Sequence, residues 1–194
     1  MKITGGFLKG QKLFLPPSKT LEIRPLRSRI RKSVFDLLGQ DLSGIKVLDL
    51  FAGTGALGIE AISRGAELVF FIDLNELSLS LIRKNLEKFK LTDKAYVLKL
   101  KLPEGLTKLS KNYPEVKFNL VFITPPYRTG LSLKTLKALP LNLLTSEATI
   151  MVEEAKEVNL PEKTISFFLK DKRTYGETSL YFYQPICLNK EEGS

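Results

Sequence analysis

Histidine does not occur anywhere in the 194 residues. Imidazole acid–base chemistry and the usual histidine-containing metal centres are therefore closed to this protein. Cysteine occurs once, at Cys187, which excludes an internal disulfide and a cysteine cluster for zinc. No metal is expected. No apolar run approaches the roughly 18 residues that cross a membrane, and the opening MKITGGFLKG has no signal-peptide core. The expected location is cytoplasmic, with no membrane partner. Internal repeats and low-complexity tracts are absent too, and nothing in the chain asks for an obligate assembly, so a monomer is expected.

The chain does carry 43% hydrophobic residues, enough for a real core, in a length that suits one ordinary domain with a small appendage. Its formal charge is +9, and the distribution is uneven. Residues 1–46 hold ten Lys or Arg against three Asp or Glu, whereas the other 148 residues are close to balanced, with 20 against 18. A basic N-terminal segment on a near-neutral body suits nucleic-acid contact.

Residues 46–58 read KVLDLFAGTGALG. Val47, Leu48, Leu50 and Phe51 form an apolar run too short for a helix and suited to a buried parallel strand. Gly53, Gly55 and Gly58 follow with GxGxxG spacing, and Ile59, Ala61 and Ile62 begin a helical pattern. A glycine turn between a strand and a helix lets backbone approach a ligand where side chains would block it. Asp49, a charge inside the strand run, needs a polar ligand or a partner. Asp73 stands 20 positions after Gly53 at the end of the next predicted strand, where an acid can accept from ribose hydroxyls. It can equally cap the helix that Leu74 enters. NAD and S-adenosylmethionine both carry an adenosine ribose, so these residues alone leave both open.

The second informative stretch is FNLVFITPPYRTG, residues 118–130. A strand running to Ile123 puts Thr124-Pro125-Pro126-Tyr127 at its carboxyl end, the edge where doubly wound sheets bind ligands. The prolines stiffen the backbone, and because they have no N–H of their own they leave nearby carbonyls free to accept from a ligand amine. Tyr127 offers a flat face on which a nucleobase can stack.

Between and around these motifs the alternation is that of an open α/β fold. Strands are expected at 46–51, 68–72, 95–100, 118–123 and 148–153, and helices at 56–64, 75–89, 103–111 and 131–139. Residues 164–170 and 178–184 are expected to form a terminal antiparallel hairpin. Residues 1–45 make a basic extension: a small hairpin or arm closed by Pro16-Pro17, then a helix from RPLRSRIRKSVFDLL with Ile30, Val34, Leu37 and Leu38 inward. The main domain is 46–188, and 189–194 should fray. Leu77, Leu81, Ile82, Leu86 and Phe89 are the expected core stripe of the second core helix.

Taken in order, MKITGGFLKGQKL, RPLRSRIR, DLFAGTGALGIEAISRG, ITPPY and KRTYGETSLYFY resemble the RsmD family of bacterial methyltransferases, which methylate N2 of a guanine in 16S ribosomal RNA. The resemblance spans nearly the whole chain. It implies a Rossmann-like class I fold binding S-adenosylmethionine: an open, mostly parallel sheet with that hairpin and extension. By the same resemblance Asp49, Phe51, Ala52, Gly53, Thr54, Gly55, Gly58, Asp73 and Leu74 hold the cofactor, and Thr124, Pro125, Pro126 and Tyr127 form the catalytic motif. Lys9, Lys12, Arg24, Arg27, Arg29, Arg31 and Lys32 are the expected contacts to RNA, in the 30S subunit or an assembly intermediate. The sequence departs from the family at Thr124, where Asp is usual, and at Leu26 and Ser28 within the arginine segment. Lys101 or Leu102 falls where an Asp or Asn usually faces adenine. Those departures motivate a binding protein without turnover as one alternative. An adenine-N6 DNA methyltransferase is another, because the PPY geometry serves that chemistry too.

Overall fold

The computed structural model describes residues 1–15 and 28–186. Seven strands form one sheet in the order β3-β2-β1-β4-β5-β7-β6. They are β1 Lys46–Leu50, β2 Leu68–Asp73, β3 Ala95–Lys99, β4 Phe118–Ile123, β5 Leu144–Ala155, β6 Phe167–Tyr175 and β7 Thr178–Pro185. The first five are parallel; β7 runs antiparallel to both β5 and β6. The expected terminal hairpin is thus present and longer than its apolar stretches suggested. The helices are α1 Ser28–Leu38, α2 Ala56–Ser63, α3 Glu76–Lys88, α4 Gly105–Asn112 and α5 Leu131–Ala138. Cys187 and the tail 189–194 lie outside the described residues.

The sequence pattern follows from what covers each strand. β1, β2 and β4 are covered on both faces and buried along nearly their whole length, so they read as continuous apolar runs. β3 is an edge strand and admits Tyr96 and Lys99. On one face Val47, Phe71, Phe122 and Met151 pack with α1, α2 and α3; on the other Leu48, Phe70, Val121 and Ile150 pack with α4 and α5. α3 starts at Asn75, whose side chain accepts from Leu77 N at 2.8 Å and Ser78 N at 3.4 Å.

Two expected helical faces are met except at one leucine each. α1 buries Ile30, Arg31, Val34 and Phe35 and leaves Leu37 exposed, because Phe35 turns in against Phe122 at a centroid distance of 6.1 Å. In α3 the expected Leu81, Ile82 and Leu86 are buried and Phe89 packs against the core, while Leu77 is exposed and Leu79 is buried.

Residues 1–15 form a hairpin lying on the body: Ile3 N donates to Gln11 O and Gly10 N to Ile3 O, both at 2.9 Å, and Ile3 and Leu13 enter the main core. Its tip is held by the end of α2. Phe7 N donates to Ser63 O at 2.8 Å, Leu8 N to Ser63 Oγ at 2.9 Å, and Ser63 Oγ to Gly5 O at 2.6 Å. Gly6 has φ +69°, and a Cβ there would stand 1.7 Å from Ser63 O. Gly6→Ala is therefore expected to destabilise the protein by about 1–3 kcal/mol. A urea midpoint equal to that of the unaltered protein would remove this account of the arm.

Candidate active site

β1 and β4 are parallel neighbours in register at Leu50 and Ile123. The two motif turns that follow them therefore open at the same rim, beside the point where the strand order reverses. Thr124 N donates to Leu50 O at 3.3 Å, so the turns are stitched together. The Thr124 hydroxyl sits 3.5 Å from Leu50 O and 3.4 Å from Phe51 O, and donates weakly to either.

In the glycine turn Phe51, Gly53 and Gly55 have φ of 60°, 54° and 72°. Ala52 N donates to Ile72 O at 3.0 Å and Gly55 N to Ala52 O at 2.7 Å. Gly53 N donates to Asp73 Oδ2 at 2.8 Å, and Gly58 N to Asp49 Oδ2 at 3.0 Å. These four N–H groups are committed internally. Gly58 supports Asp49, and it has no room for a side chain: a Cβ would lie 2.2 Å from the Phe71 ring. Gly55 is closed in the same way by Ile82, at 2.8 Å. Thr54 and Ala52 are buried, while Phe51, Gly53, Asp73 and Leu74 line the accessible rim. Lys101, near the rim after β3, is exposed and paired with Glu104 at 3.6 Å, whereas Leu102 is buried.

Asp49 is the electrostatic oddity of the site. It is 1% exposed, and its Oδ1 has no hydrogen-bond partner. Burial pushes its carboxyl up to about 8; the Gly58 N–H opposes that rise and the Asp73 charge adds to it. An unpartnered buried carboxylate oxygen beside the rim invites a cationic ligand. Asp73, partly exposed, uses Oδ2 on Gly53 and Oδ1 on Asn75 N at 2.8 Å, and each oxygen keeps a lone pair for a hydroxyl. A sulfonium-bearing amino acid joined to an adenosine fits these donors and acceptors better than a dinucleotide does.

At the facing turn, no described N–H or O–H donates to the carbonyls of Thr124 and Pro125. Pro126 O is used by the Thr129 hydroxyl at 2.7 Å. The Tyr127 hydroxyl donates to Glu153 Oε1 and lies 2.9 Å from Thr178 Oγ. Arg128 follows with φ 63°; its backbone N donates to Glu154 Oε1 at 3.0 Å and its guanidinium pairs with Glu157. Glu153 and Glu154 are buried, and only the location of β5 could have pointed to them in the sequence.

The cationic set divides. Lys9, Lys12 and Lys32 are exposed. Arg24 and Arg27 lie outside the described residues, as does the side chain of Arg29. Arg31 is a correction: it is fully buried, with Nε 3.1 Å from Glu60 Oε2, and is withdrawn from any RNA surface. Only its partner Glu60, 29 residues away, sets it apart from Lys32. Among the described residues, no group of three or more His, Cys, Asp or Glu is placed to hold a metal, and no helix is long and apolar enough to cross a membrane.

This strand order, with a glycine turn after β1 and an acid at the end of β2, is the Rossmann-like class I fold of S-adenosylmethionine-dependent methyltransferases. A family model described as Conserved hypothetical protein 95 matches residues 1–184, and the chain belongs to that family. Ribosomal RNA small subunit methyltransferase D of Escherichia coli (strain K12) is 34% identical over 185 residues, covering 95% of this chain and 89% of that protein. YlbH of Bacillus subtilis (strain 168) is 33% identical over 186 residues, covering 95% and 98%. Among solved structures, yhhF of E. coli superposes with a TM-score of 0.80 at 32% identity, covering 95% of this chain and 97% of that one. The protein is a methyltransferase related to the RsmD family.

Proposed function

We propose that this protein methylates the exocyclic N2 of a guanine in 16S ribosomal RNA, in the small subunit or a precursor of it. The observation that carries the reading is the pairing of Leu50 with Ile123, which sets a cationic-ligand turn and a Pro-Pro-Tyr turn side by side at one rim. The E. coli relative's own designation as a small-subunit ribosomal RNA methyltransferase supports the substrate class. The exposed Lys9, Lys12 and Lys32 belong to the segment that would hold the RNA backbone, together with Arg24, Arg27 and Arg29.

When bound, S-adenosylmethionine supplies an electrophilic methyl group on sulfur. Asp49 holds its amino-acid end, with the turn from Phe51 to Gly58 shaping the pocket; Asp73 accepts from the ribose hydroxyls and Leu74 covers the adenine side. The free carbonyls of Thr124 and Pro125 accept N–H bonds from the guanine amine, and the Tyr127 ring stacks on the base. N2 shares its lone pair with the ring, so acceptors that hold it in line and favour positive charge on nitrogen lower the barrier.

Thr124 brings a neutral hydroxyl to a place where a carboxylate would serve better, and that hydroxyl already faces the Leu50 and Phe51 carbonyls. This favours, as a second reading, a protein that binds cofactor and RNA without turnover. Incubation with 30S subunits lacking their own modification and with labelled cofactor separates the two, with duplex DNA as a control. Transfer to 16S RNA is expected. Thr124→Asp is expected to raise the single-turnover rate roughly tenfold, about the worth of one charge-assisted hydrogen bond. Transfer only in the Asp variant would establish the binding reading, and transfer to DNA alone would overturn both.

A further inference from the structure

Just before its last residue, β5 carries two consecutive glutamates, and strand alternation sends them to opposite faces of the sheet. Glu154 is saturated on its side: Ser132 Oγ and Ala155 N donate to it at 2.8 Å and Arg128 N at 3.0 Å. It fixes the start of α5. Glu153 has different company. It is 7% exposed, and the Tyr127 hydroxyl donates to its Oε1 while also meeting Thr178 Oγ. Tyr127 from the loop after β4 meets it, with Thr178 from β7 on the same phenol; the Glu154 charge lies next along its own strand, and among the described residues no cation acts on it.

Ile123 is in register with Val152. The next residue along each chain is Thr124 on one and Glu153 on the other. The carboxylate missing from the Pro-Pro-Tyr motif is thus present one strand away, connected to the motif through the phenol of its own tyrosine. Burial raises the Glu153 carboxyl to about 7, the Tyr127 hydrogen bond opposing and the Glu154 charge assisting. Burial and the Glu153 charge also raise the Tyr127 phenol, so Tyr127 stays the donor and ionised Glu153 the acceptor.

We propose that Glu153 is the positioning residue for Tyr127, and that its ionised form supplies through the tyrosine ring the negative charge that Thr124 does not. This rests on the reading above, in which Tyr127 stacks on the guanine. Attack by N2 places positive charge on the base. A phenol that donates to a carboxylate has a more electron-rich face, and a full charge directly behind it acts through a poorly solvated region. When Glu153 is protonated that field vanishes, and the acid becomes a donor competing with the phenol for the same bond.

The test is single-turnover methyl transfer to 30S subunits from pH 5.5 to 9 at saturating cofactor. The unaltered protein is expected to gain about tenfold in rate through a step near pH 7. Glu153→Gln, which keeps the shape and loses the charge, is expected to abolish that step and hold the rate near the low-pH level. Tyr127→Phe, which keeps the ring and the carboxylate but loses the hydrogen bond that lowers the Glu153 titration, is expected to shrink the step and move it to higher pH. The RNA KM should move less than about threefold, and Glu153→Asp should restore a step. A Glu153→Gln profile parallel to that of the unaltered protein, with an unchanged urea midpoint, overturns the proposal alone. No transfer by the unaltered protein at any pH overturns the parent reading and the proposal with it.

Discussion

Glu60→Ala is expected to lower the stability of this protein by about 3–5 kcal/mol, because it strands two buried guanidinium groups at once. Glu60 is fully buried on α2, with Oε1 2.9 Å from Arg64 Nη2 and Oε2 3.1 Å from Arg31 Nε. The same carboxylate accepts from Thr4 N at 2.9 and 3.0 Å and from the Thr4 hydroxyl at 2.6 Å. Arg31 also donates to Lys2 O, and Arg64 lies 4.7 Å over the Phe35 ring. One acid therefore ties the hairpin, α1 and α2 into a single unit. Burial pulls the Arg31 guanidinium below its ordinary value and Glu60 works against that; with the acid gone, only the unfavourable part remains. Urea denaturation at pH 7 measures the loss, and limited proteolysis within residues 1–15 should show the arm released first. A loss under 1 kcal/mol would mean that the arm is held by Ile3, Leu13 and the Ser63 contacts alone. The functional corollary is specific: this variant should lose RNA affinity, through Lys9 and Lys12, while retaining cofactor affinity.

The frame of this molecule was legible because its strands are buried on both faces. Apolar runs such as VFFI and FNLVFI have one plausible use, and the strands observed at 68–73 and 118–123 match the expected 68–72 and 118–123 within a residue. The two motif turns were legible for the same reason, since glycine and proline declare backbone geometry directly. Side-chain partners across the chain were not. Nothing local distinguishes Arg31 from Lys32, yet one is buried against Glu60, 29 residues away, and the other faces solvent. Glu153 and Glu154 read as the polar end of a strand, and only the long reach of β5 past Val152 brings them beneath the Pro-Pro-Tyr turn. The inward face of α1 shifts because an aromatic residue competes with leucine, Phe35 with Leu37. Periodicity admits both positions; the shape of the surface beneath the helix decides between them.

Asp49→Asn is expected to make the free protein more stable and the cofactor complex weaker. The isosteric amide can still accept the Gly58 N–H, at 3.0 Å in the acid, but it cannot ionise. In the free protein the Asp49 carboxyl sits at about 8 against an ordinary 3.8. An acid whose folded value is raised keeps its proton when folded and loses it when unfolded. Between those two values stability therefore falls as pH rises, by up to about 1.4 kcal/mol per pH unit. The Asn variant lacks that slope, so its Tm should pull ahead of the unaltered protein between pH 5 and 8 and stay ahead above. Cofactor binding works in the opposite direction. A ligand carrying ammonium and sulfonium charges draws the proton off Asp49, so binding to the unaltered protein should tighten up to about pH 8 and release close to one proton at pH 7. Titration calorimetry in two buffers of different ionisation enthalpy reads that proton. Asp49→Asn should release none and bind about 10- to 150-fold more weakly at pH 8, the worth of one charge-assisted contact. Equal affinity of the two proteins at pH 8, with equal proton release at pH 7, would show that the orphaned Asp49 oxygen does not face the cofactor. The rim would then have to hold its ligand through Asp73 and the backbone alone.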